Sequence, residues 1–475
     1  MARPASNKNV SSTGTSYSSP VDTLELLSEV EKVAKVQSIT LTAEDRIPTG
    51  ILNLDLVLGG GISPALITFA GAEQSAKTTT AIAAMASSVN NDVGLRVLWD
   101  AEGSSGSSTD YVENIFATMN VKTDMETLFG VKDNKGKYVV APMVYYRDEG
   151  EMETFFDWVS AMLRRFPDKR NEQGRWWYIY EATNENKAKY KSQMDAGMSR
   201  QNGAIYIPAE SGALQAFIII DSWPSLVPKS MDDEDSKGSG MAAVAREYAK
   251  HLPRVVGKLR SKRVAILGIN QLAEKPGFSM GDNRYEKGGN ALRYYSAQRL
   301  WFTPRALSGV PFNPKGKGME ELEPSIDGIG EDTYRYIHVK ARKNKLAVPN
   351  RETWLRIWVS DAKGNAHGID PVFDCFYILS QTGQVSGRRS AIRLNLAGMG
   401  EAKKTMDWVT FKRLVLTQNK KEATEILANV GYKYINIRTG LASMLKKGTL
   451  EKMYMATRAA PVKKAAADDE EDSDE

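Results

Sequence analysis

The sequence predicts an α/β fold in which a mostly parallel sheet is covered by helices on both faces. Short apolar runs rich in β-branched residues alternate with helical segments between residues 46 and 300, which is the pattern of buried parallel strands. A hydrophobic content of 42% supports a packed core, and one cysteine excludes an internal disulfide framework. The predicted strands are 65–70, 94–100, 140–146, 215–221, 263–269 and 298–303, and the predicted helices are 77–90, 150–166 and 241–261.

A phosphate-binding loop is predicted between the first strand and the first of these helices. Backbone N–H groups of such a turn, together with the helix N-terminus that follows, converge on one point and attract phosphate. Lys77 is placed to reach the β- and γ-phosphates, and the Thr78 hydroxyl is placed to hold Mg²⁺. The alternative is an ordinary turn that precedes a helix. The predicted nucleotide-binding residues of this segment are Gly71, Ala72, Glu73, Gln74, Ser75, Ala76, Lys77, Thr78 and Thr79.

Ala76 departs from the usual phosphate-loop motif, because it stands where glycine is expected. A methyl group is tolerable there if the residue has right-handed helical dihedrals, but not if its φ is positive. The substitution puts the turnover rate in question more than the binding of nucleotide.

Three other predicted strands end in polar residues. Asp221 is placed to orient the water shell of Mg²⁺ beside Thr78, although an acid at a strand end is more often a helix cap. Glu102 is placed to polarise the water that attacks the γ-phosphate, or it is simply exposed. Gln271 offers an amide that can hydrogen-bond a γ-phosphate and report its loss. The carboxyl ends of parallel strands meet at one edge, so we expect these groups to cluster with the loop.

The segment after Gln271 has the composition of a nucleic-acid-binding loop. Residues 272–287, together with the closing Gly288-Gly289-Asn290, are rich in Gly, Lys and Asn and carry the apolar tips Phe278 and Met280, which suits contact with unpaired nucleic acid. A flexible surface loop is the alternative. The formal net charge is +5 although residues 468–475 are almost entirely acidic, so the body is more basic than the total suggests. That tail is either a polyanion mimic or an aid to solubility.

Four regions are predicted along the chain. The insertion at about 167–213 is either a packed excursion or an extra DNA contact through Trp176, Trp177 and Tyr178. No apolar stretch approaches the length of a membrane span, so we expect a soluble, cytoplasmic protein with no membrane partner. The regions are a disordered start with an N-terminal oligomerisation helix (1–45), a core with insertions at about 167–213 and 304–330 (46–365), a small C-terminal α+β domain (366–455) and a disordered acidic tail (456–475).

The order of these parts resembles the RecA family of homologous recombinases from about residue 47 to residue 370. The lead-in Ile47-Pro48-Thr49-Gly50, the strand end Asp100-Ala101-Glu102 and the pair Asp221-Ser222 are similar to family elements. Asn270-Gln271 and Gly288-Gly289-Asn290-Ala291-Leu292 bracket what would be the second DNA-binding loop. The resemblance implies a RecA-like P-loop ATPase core. The divergence within it is more similar to a bacteriophage recombinase than to a bacterial one.

The resemblance also implies roles for individual residues. Lys343 and Lys345 match an element that reaches the ATP of the adjacent subunit, where two lysines would neutralise charge on the phosphates; the alternative is a basic turn between strands. Tyr111 would stack on the adenine. The implied catalytic residues are Glu102, Lys77, Gln271, Lys343 and Lys345, and the implied DNA-binding residues are Arg246, Phe278, Met280, Arg284, Lys287, Gly288, Gly289 and Asn290.

The function so implied is ATP-dependent DNA strand exchange by helical filaments on single-stranded DNA. The cofactors would be ATP and Mg²⁺. The partners would be single-stranded and double-stranded DNA, further copies of the chain, and single-strand-binding and loading proteins, in the host cytoplasm if the origin is a phage. Two alternatives are open: a hexameric helicase or translocase with the same core, and a DNA-coating protein that binds ATP without hydrolysing it.

Overall fold

The structure is a computed structural model that describes most of the chain. The described residues are 46–103, 109–193, 203–231, 240–274, 284–305, 333–360, 368–388, 390–401 and 403–459. The predicted N-terminal helix, the loop tips Phe278 and Met280, most of the 304–330 insertion and the acidic tail lie outside them.

Helices and strands alternate through the first two thirds of the described chain. The helices are α1 (Leu52–Leu58), α2 (Lys77–Val89), α3 (Thr109–Thr118), α4 (Met125–Phe129), α5 (Met152–Arg165), α6 (Asn184–Lys189), α7 (Gly240–Leu259), α8 (Gly289–Tyr295), α9 (Pro371–Gln381), α10 (Trp408–Leu416), α11 (Lys420–Val430), α12 (Ile437–Lys446) and α13 (Thr449–Ala459). The strands are β1 (Leu66–Gly71), β2 (Leu95–Asp100), β3 (Val131–Lys132), β4 (Tyr138–Val140), β5 (Tyr145–Arg147), β6 (Asp168–Glu172), β7 (Arg175–Glu181), β8 (Ala204–Ala209), β9 (Ala216–Asp221), β10 (Val264–Glu274), β11 (Arg284–Glu286), β12 (Gln298–Arg305), β13 (Thr333–Asn344), β14 (Glu352–Ser360), β15 (Gly368–Ile369), β16 (Val385–Arg388) and β17 (Ala391–Leu394).

Ten of the described strands form one sheet. Nine of them follow the order β15-β14-β13-β12-β1-β10-β9-β2-β5, and β11 pairs with β10 beside this row. The strands from β12 to β5 run parallel, whereas β13, β14 and β15 extend the sheet in antiparallel fashion. The predicted α/β class with a mostly parallel central sheet is confirmed. No helix in the described part of the chain is long and apolar enough to cross a membrane.

The two faces of the sheet bury two separate sets of side chains. Phe217 and Ile219 of β9 point into a cluster formed with α1, α2 and α3, while Ile218 and Ile220 point into a cluster formed with α5 and α7. This follows from the period of two along a strand. Because both faces are covered by helices, the parallel strands read as continuous apolar runs, which is why the sequence alone located them closely.

The predicted strand 140–146 is wrong as one element. The structure has β4 ending at Val140 and β5 beginning at Tyr145, with irregular chain between them. Pro142 lies in that gap, and proline cannot donate a hydrogen bond to a sheet ladder. Only β5 joins the large sheet, where Val97 pairs with Tyr145.

The insertion at 167–213 has secondary structure of its own. Strands β6, β7 and β8 form an antiparallel sheet, which is joined to the chain before β10 by a hydrogen bond from Lys169 N to Ser261 O at 2.8 Å. Trp177 is buried, and the Trp176 ring lies 4.8 Å from the Arg263 guanidinium. These aromatic rings therefore pack within the protein, and they lie at the amino ends of β9 and β10.

The chain after residue 370 packs against α1. Its apolar side chains form a cluster that also includes Leu52 of α1 and Trp354 of β14. The Asp374 carboxylate accepts hydrogen bonds from Leu52 N at 2.7 Å and Asn53 N at 3.1 Å, so it satisfies donors that the first turn of α1 leaves open. Burial raises the pKa of Asp374 to about 6. The predicted C-terminal domain is thus tied to the sheet through α1.

The turn from β1 into α2 has an unusual backbone. A Cβ on Gly71 would lie 2.5 Å from Ser75 Oγ and 2.6 Å from Phe302 O, so this position requires glycine. Gln74 has a φ of 56° and Ala76 a φ of 61°, both in the left-handed region that residues with a side chain occupy at a cost. Alanine was expected to be tolerable at position 76 only with right-handed helical dihedrals. The positive φ of Ala76 does not meet this expectation.

We expect Ala76→Gly to stabilise the protein. Glycine adopts positive φ without the steric penalty of alanine, so the free energy of unfolding should rise by about 1 kcal/mol after the entropy of glycine is discounted. Chemical denaturation monitored by circular dichroism measures this change. The matched control is Ala83→Gly in the interior of α2, which should lower the free energy of unfolding by about 1 kcal/mol or more. Equal destabilisation by both substitutions would contradict a left-handed Ala76.

Candidate functional site

Four strands end beside one another at one edge of the sheet. Asp100 of β2 pairs with Asp221 of β9, and Gly71 of β1 pairs with Gln271 of β10. Since β9 and β10 are also neighbours, the loop 71–78 and the ends of β2, β9 and β10 share this carboxyl edge. The structure therefore brings together the strand-end groups that the sequence singled out.

Lys77 is folded into the loop that precedes it. Its ammonium donates to the carbonyl O of Ala72 at 2.6 Å and lies 3.1 Å from Ser75 Oγ, which itself donates to Ala72 O at 2.7 Å. The residue is 8% exposed. Burial lowers the pKa of Lys77, and the charges of Asp221 and Glu102 oppose that shift. An anion held by the loop would replace these neutral partners and compensate the buried charge.

Thr78 and Asp221 form a pair of oxygen donors next to the loop. The Thr78 hydroxyl donates to Asp221 Oδ2 at 2.7 Å, and Asp221 is 3% exposed. Burial raises the pKa of Asp221 to about 6, against the opposing Thr78 hydrogen bond. A hydroxyl and a carboxylate with space beside a phosphate loop are the donor set of Mg²⁺, which takes one or two protein oxygens and completes its shell with water and phosphate. These residues fit a magnesium ion.

Glu102 lies beyond the end of β2 and is oriented by two serines. Its Oε1 accepts hydrogen bonds from Ser222 Oγ at 2.5 Å and Ser225 Oγ at 3.2 Å, and its backbone N donates to Asp221 O at 3.2 Å. The carboxylate is exposed, so water reaches it freely. Ser222 and Ser225 are site residues to which the sequence assigned no role, since their contact with Glu102 spans more than a hundred residues.

Gln271 is bonded to the far end of the second loop. Lys287 Nζ donates to Gln271 Oε1 at 2.8 Å, and the Asn270 amide donates to Lys287 O at 2.9 Å. Asn270 is fully buried and lies next to Gln271 within β10. The amide predicted to face the phosphate and a cation predicted to face DNA are therefore in direct contact.

A cleft of about 260 Å³ opens beside the loop. Tyr111, the predicted adenine contact, lies in its wall with its hydroxyl bonded to Thr79 Oγ1. Burial raises the pKa of Tyr111. The sequence patterns did not predict several residues that line this cleft, because these residues come from distant strands and belong to no motif. They are Arg335, Ile357, Trp358, Val359 and Gly368.

The described residues predicted to bind DNA lie on α7 (Arg246), on β11 (Arg284), on α8 (Gly289 and Asn290) and in the turn between β11 and α8 (Lys287 and Gly288). Arg246 and Asn290 are exposed, and Gly288 and Gly289 have φ values of 91° and 76° at the start of α8. The Arg284 guanidinium lies 5.4 Å from the centre of the Trp301 ring. Phe278 and Met280 lie outside the described residues.

Lys343 and Lys345 lie at the opposite edge of the sheet. Arg299 at the start of β12 pairs with Lys343, whereas the loop adjoins the other end of β1. Lys343 Nζ donates to Arg293 O at 2.8 Å and Tyr294 O at 2.7 Å, at the C-terminus of α8. Burial, reinforced by the charge of Lys345, lowers the pKa of Lys343 to about 8. The structure does not bring these lysines to the loop of their own chain.

Comparisons with known proteins agree with this architecture. A family model described as the RecA N-terminal domain matches residues 187–362. Protein RecA of Thermus thermophilus is 27% identical over 236 residues, 50% of this chain and 57% of that protein. Protein RecA of Heliobacterium modesticaldum is 28% identical over 260 residues, 55% of this chain and 61% of that protein.

A longer match has lower identity. Protein RecA of Clostridioides difficile is 23% identical over 414 residues, 86% of this chain and 91% of that protein. The Thermus and Heliobacterium proteins are matched over little more than half of their own length. Together with the sheet topology described above, these matches support a RecA family protein.

Proposed function

We propose that this protein is an ATP-dependent recombinase that forms helical filaments on single-stranded DNA and exchanges strands with duplex DNA. The observation that carries the proposal is the contact of Lys287 with Gln271 at 2.8 Å. It joins the edge of the sheet where a nucleotide would bind to the glycine bracket of the second loop. A nucleotide-dependent change at Gln271 would therefore reach the residues that hold DNA. Membership of the RecA family supports the same activity.

Each group of the site has a chemical task in this proposal. Lys77 would neutralise charge on the β- and γ-phosphates, and Thr78 with Asp221 would hold a magnesium ion, which would supply Lewis acidity to the phosphate oxygens. Glu102 accepts a proton from the attacking water, whose oxygen bonds to the γ-phosphorus. The bond from that phosphorus to the bridging oxygen breaks, and ADP and phosphate leave. Ser222 and Ser225 keep the Glu102 carboxylate oriented.

A neighbouring subunit completes the site. Lys343 and Lys345 lie at the opposite edge of their own sheet, so only a copy stacked head to tail would receive them. Two cations delivered to the phosphates would act as an arginine finger does. Hydrolysis would then depend on assembly, and successive head-to-tail contacts generate a filament when the rotation does not close.

The bacteriophage origin, the cytoplasmic location and the single-strand-binding and loading partners stay predictions. A DNA-coating protein that binds ATP without hydrolysing it is the second candidate. Ala76, which has left-handed backbone where the usual motif has glycine, favours this second candidate because the chain departs from the motif within the phosphate loop itself. A hexameric translocase would form closed rings rather than filaments.

We expect Lys77→Ala to abolish ATP hydrolysis and strand exchange. Loss of the cation at the phosphates should lower kcat/KM by at least about 100-fold, as measured by phosphate release with single-stranded DNA. The control is Lys122→Ala at an exposed position, which should keep full activity. Electron micrographs with an ATP analogue and a long oligonucleotide should show helical filaments of the unsubstituted protein. Closed rings, or turnover undiminished in Lys77→Ala, would refute the proposal.

We expect Mg²⁺-dependent nucleotide affinity to fall as the pH drops below about 6. Magnesium requires the Asp221 carboxylate, whose pKa is raised from 3.8 to about 6, so protons compete with the metal by up to about tenfold per pH unit. Burial of the ionised group costs stability above pH 6, and acidification toward pH 4 relieves that cost. Calorimetric titration from pH 5 to 8 measures the affinity. Asp221→Asn should show weak affinity without this pH dependence; an unchanged profile would exclude Asp221 as the ligand.

We expect Lys345→Ala to lose DNA-stimulated hydrolysis while it retains nucleotide binding. A cation delivered in trans contributes only after assembly, so kcat with single-stranded DNA should fall by about 100-fold or more. Phosphate release with and without oligonucleotide, and binding of a fluorescent ATP analogue, separate the two effects. Lys187→Ala, at an exposed position of the insertion, is the control. Equal loss of binding and of stimulated turnover would argue against a role in trans.

A further inference from the structure

Arg335 stands at the end of β13 that adjoins the phosphate loop. Alternate residues of this strand face the core cluster under α2, and Ile337, Val339 and Ala341 are completely buried there. Arg335 continues this row by one position toward the carboxyl edge of the parallel strands, because β13 runs antiparallel to β12. An arginine therefore ends an apolar row at the point where the row meets the loop.

The Arg335 guanidinium is bonded to the loop itself. Its Nη1 donates to the carbonyl O of Gln74 at 2.9 Å. Gln74 and Ala76, with φ values of 56° and 61°, hold left-handed backbone without being glycine. Backbone of this kind persists where surrounding contacts over-determine it. The hydrogen bond from Arg335 is such a contact, and it comes from a strand distant in sequence.

Arg335 also faces the cleft in which a nucleotide would lie. It lines that cleft together with Tyr111 and the loop residues. Burial raises the pKa of Tyr111, and the nearby positive charge of Arg335 opposes part of that rise. The Arg335 guanidinium is thus close to Tyr111 on one side of the cleft and to the loop on the other, and its charge favours an anionic ligand between them.

We propose that Arg335 is a positioning residue for nucleoside triphosphate binding, which holds the left-handed loop in its binding conformation through the carbonyl of Gln74. This inference rests on the proposed function, since the loop must bind a triphosphate. Without the bond, the loop residues relax toward right-handed backbone and their N–H groups leave the phosphate position. Glycine at position 74 removes this dependence, because glycine populates positive φ without a side-chain penalty.

The experiment is a double-mutant cycle on nucleotide affinity in the full-length protein without DNA. Binding of a non-hydrolysable ATP analogue with Mg²⁺ is measured for Arg335→Met, Gln74→Gly and the double variant. Loss of a charge-assisted hydrogen bond should raise the Kd of Arg335→Met about tenfold. Gln74→Gly supplies the reference for the double variant, because position 74 belongs to the phosphate loop and its own effect on the Kd is measured within the cycle. The double variant should bind about as tightly as Gln74→Gly alone, because the loop no longer depends on the arginine.

Matched variants separate the possible failures. Lys340→Met removes a half-exposed cation of the same strand that lies beside Glu352, and it should leave the affinity unchanged. Arg335→Lys tests whether charge without the guanidinium fork suffices, and it should bind the analogue more weakly than the unsubstituted protein does. The inference would be overturned if Arg335→Met weakened binding equally in the unsubstituted protein and in the Gln74→Gly variant. It would also be overturned if Arg335→Met bound the analogue as tightly as Lys340→Met does. If Lys77→Ala also bound the analogue normally, the proposed function would fall instead.

Discussion

The parallel register of β1, β10, β9 and β2 is the constraint on which the candidate site depends. It places Gly71 beside Gln271 and Asp100 beside Asp221, so the loop 71–78, Glu102, Asp221 and Gln271 lie at the same edge of the sheet. Parallel strands need crossover helices that cover both faces, and α2, α5 and α7 supply them. The same arrangement that buries the core therefore gathers the polar strand ends at the surface.

Gathering these groups has an electrostatic cost that the protein alone only partly offsets. Lys77 and Asp221 are both buried, and burial moves the pKa of each toward its neutral form. Their present partners are a backbone carbonyl, a serine and a threonine. In the proposed function, a triphosphate with its magnesium ion would supply the missing opposite charges. Buried charges with neutral partners, together with the left-handed backbone of Gln74 and Ala76, are exceptions to the local rules that the rest of the fold follows. Such exceptions are typical of a binding site.

The two edges of the sheet are joined by one short helix. The glycine bracket at the start of α8 follows Lys287, which contacts Gln271 at the loop edge. The carbonyls of Arg293 and Tyr294 at the end of α8 hold the ammonium of Lys343. A continuous set of contacts therefore runs from the nucleotide edge, through the flank of the second loop, to the lysines proposed to serve the neighbouring subunit. In the proposed function, these contacts would link assembly, nucleotide binding and DNA binding through one structural element.

The sequence by itself determined the buried parallel strands, the helices α2, α5 and α7, and the loop 71–78, because an apolar run and a glycine turn are local signals. It did not determine the break at Pro142 or the sheet of the insertion, whose strands are only partly buried and so lack a continuous apolar run. Tertiary structure alone decided that Ala76 is left-handed, that two serines hold Glu102 and that Arg335 reaches Gln74. Those features depend on which strands lie side by side, and strand order is set by the packing of residues more than a hundred positions apart.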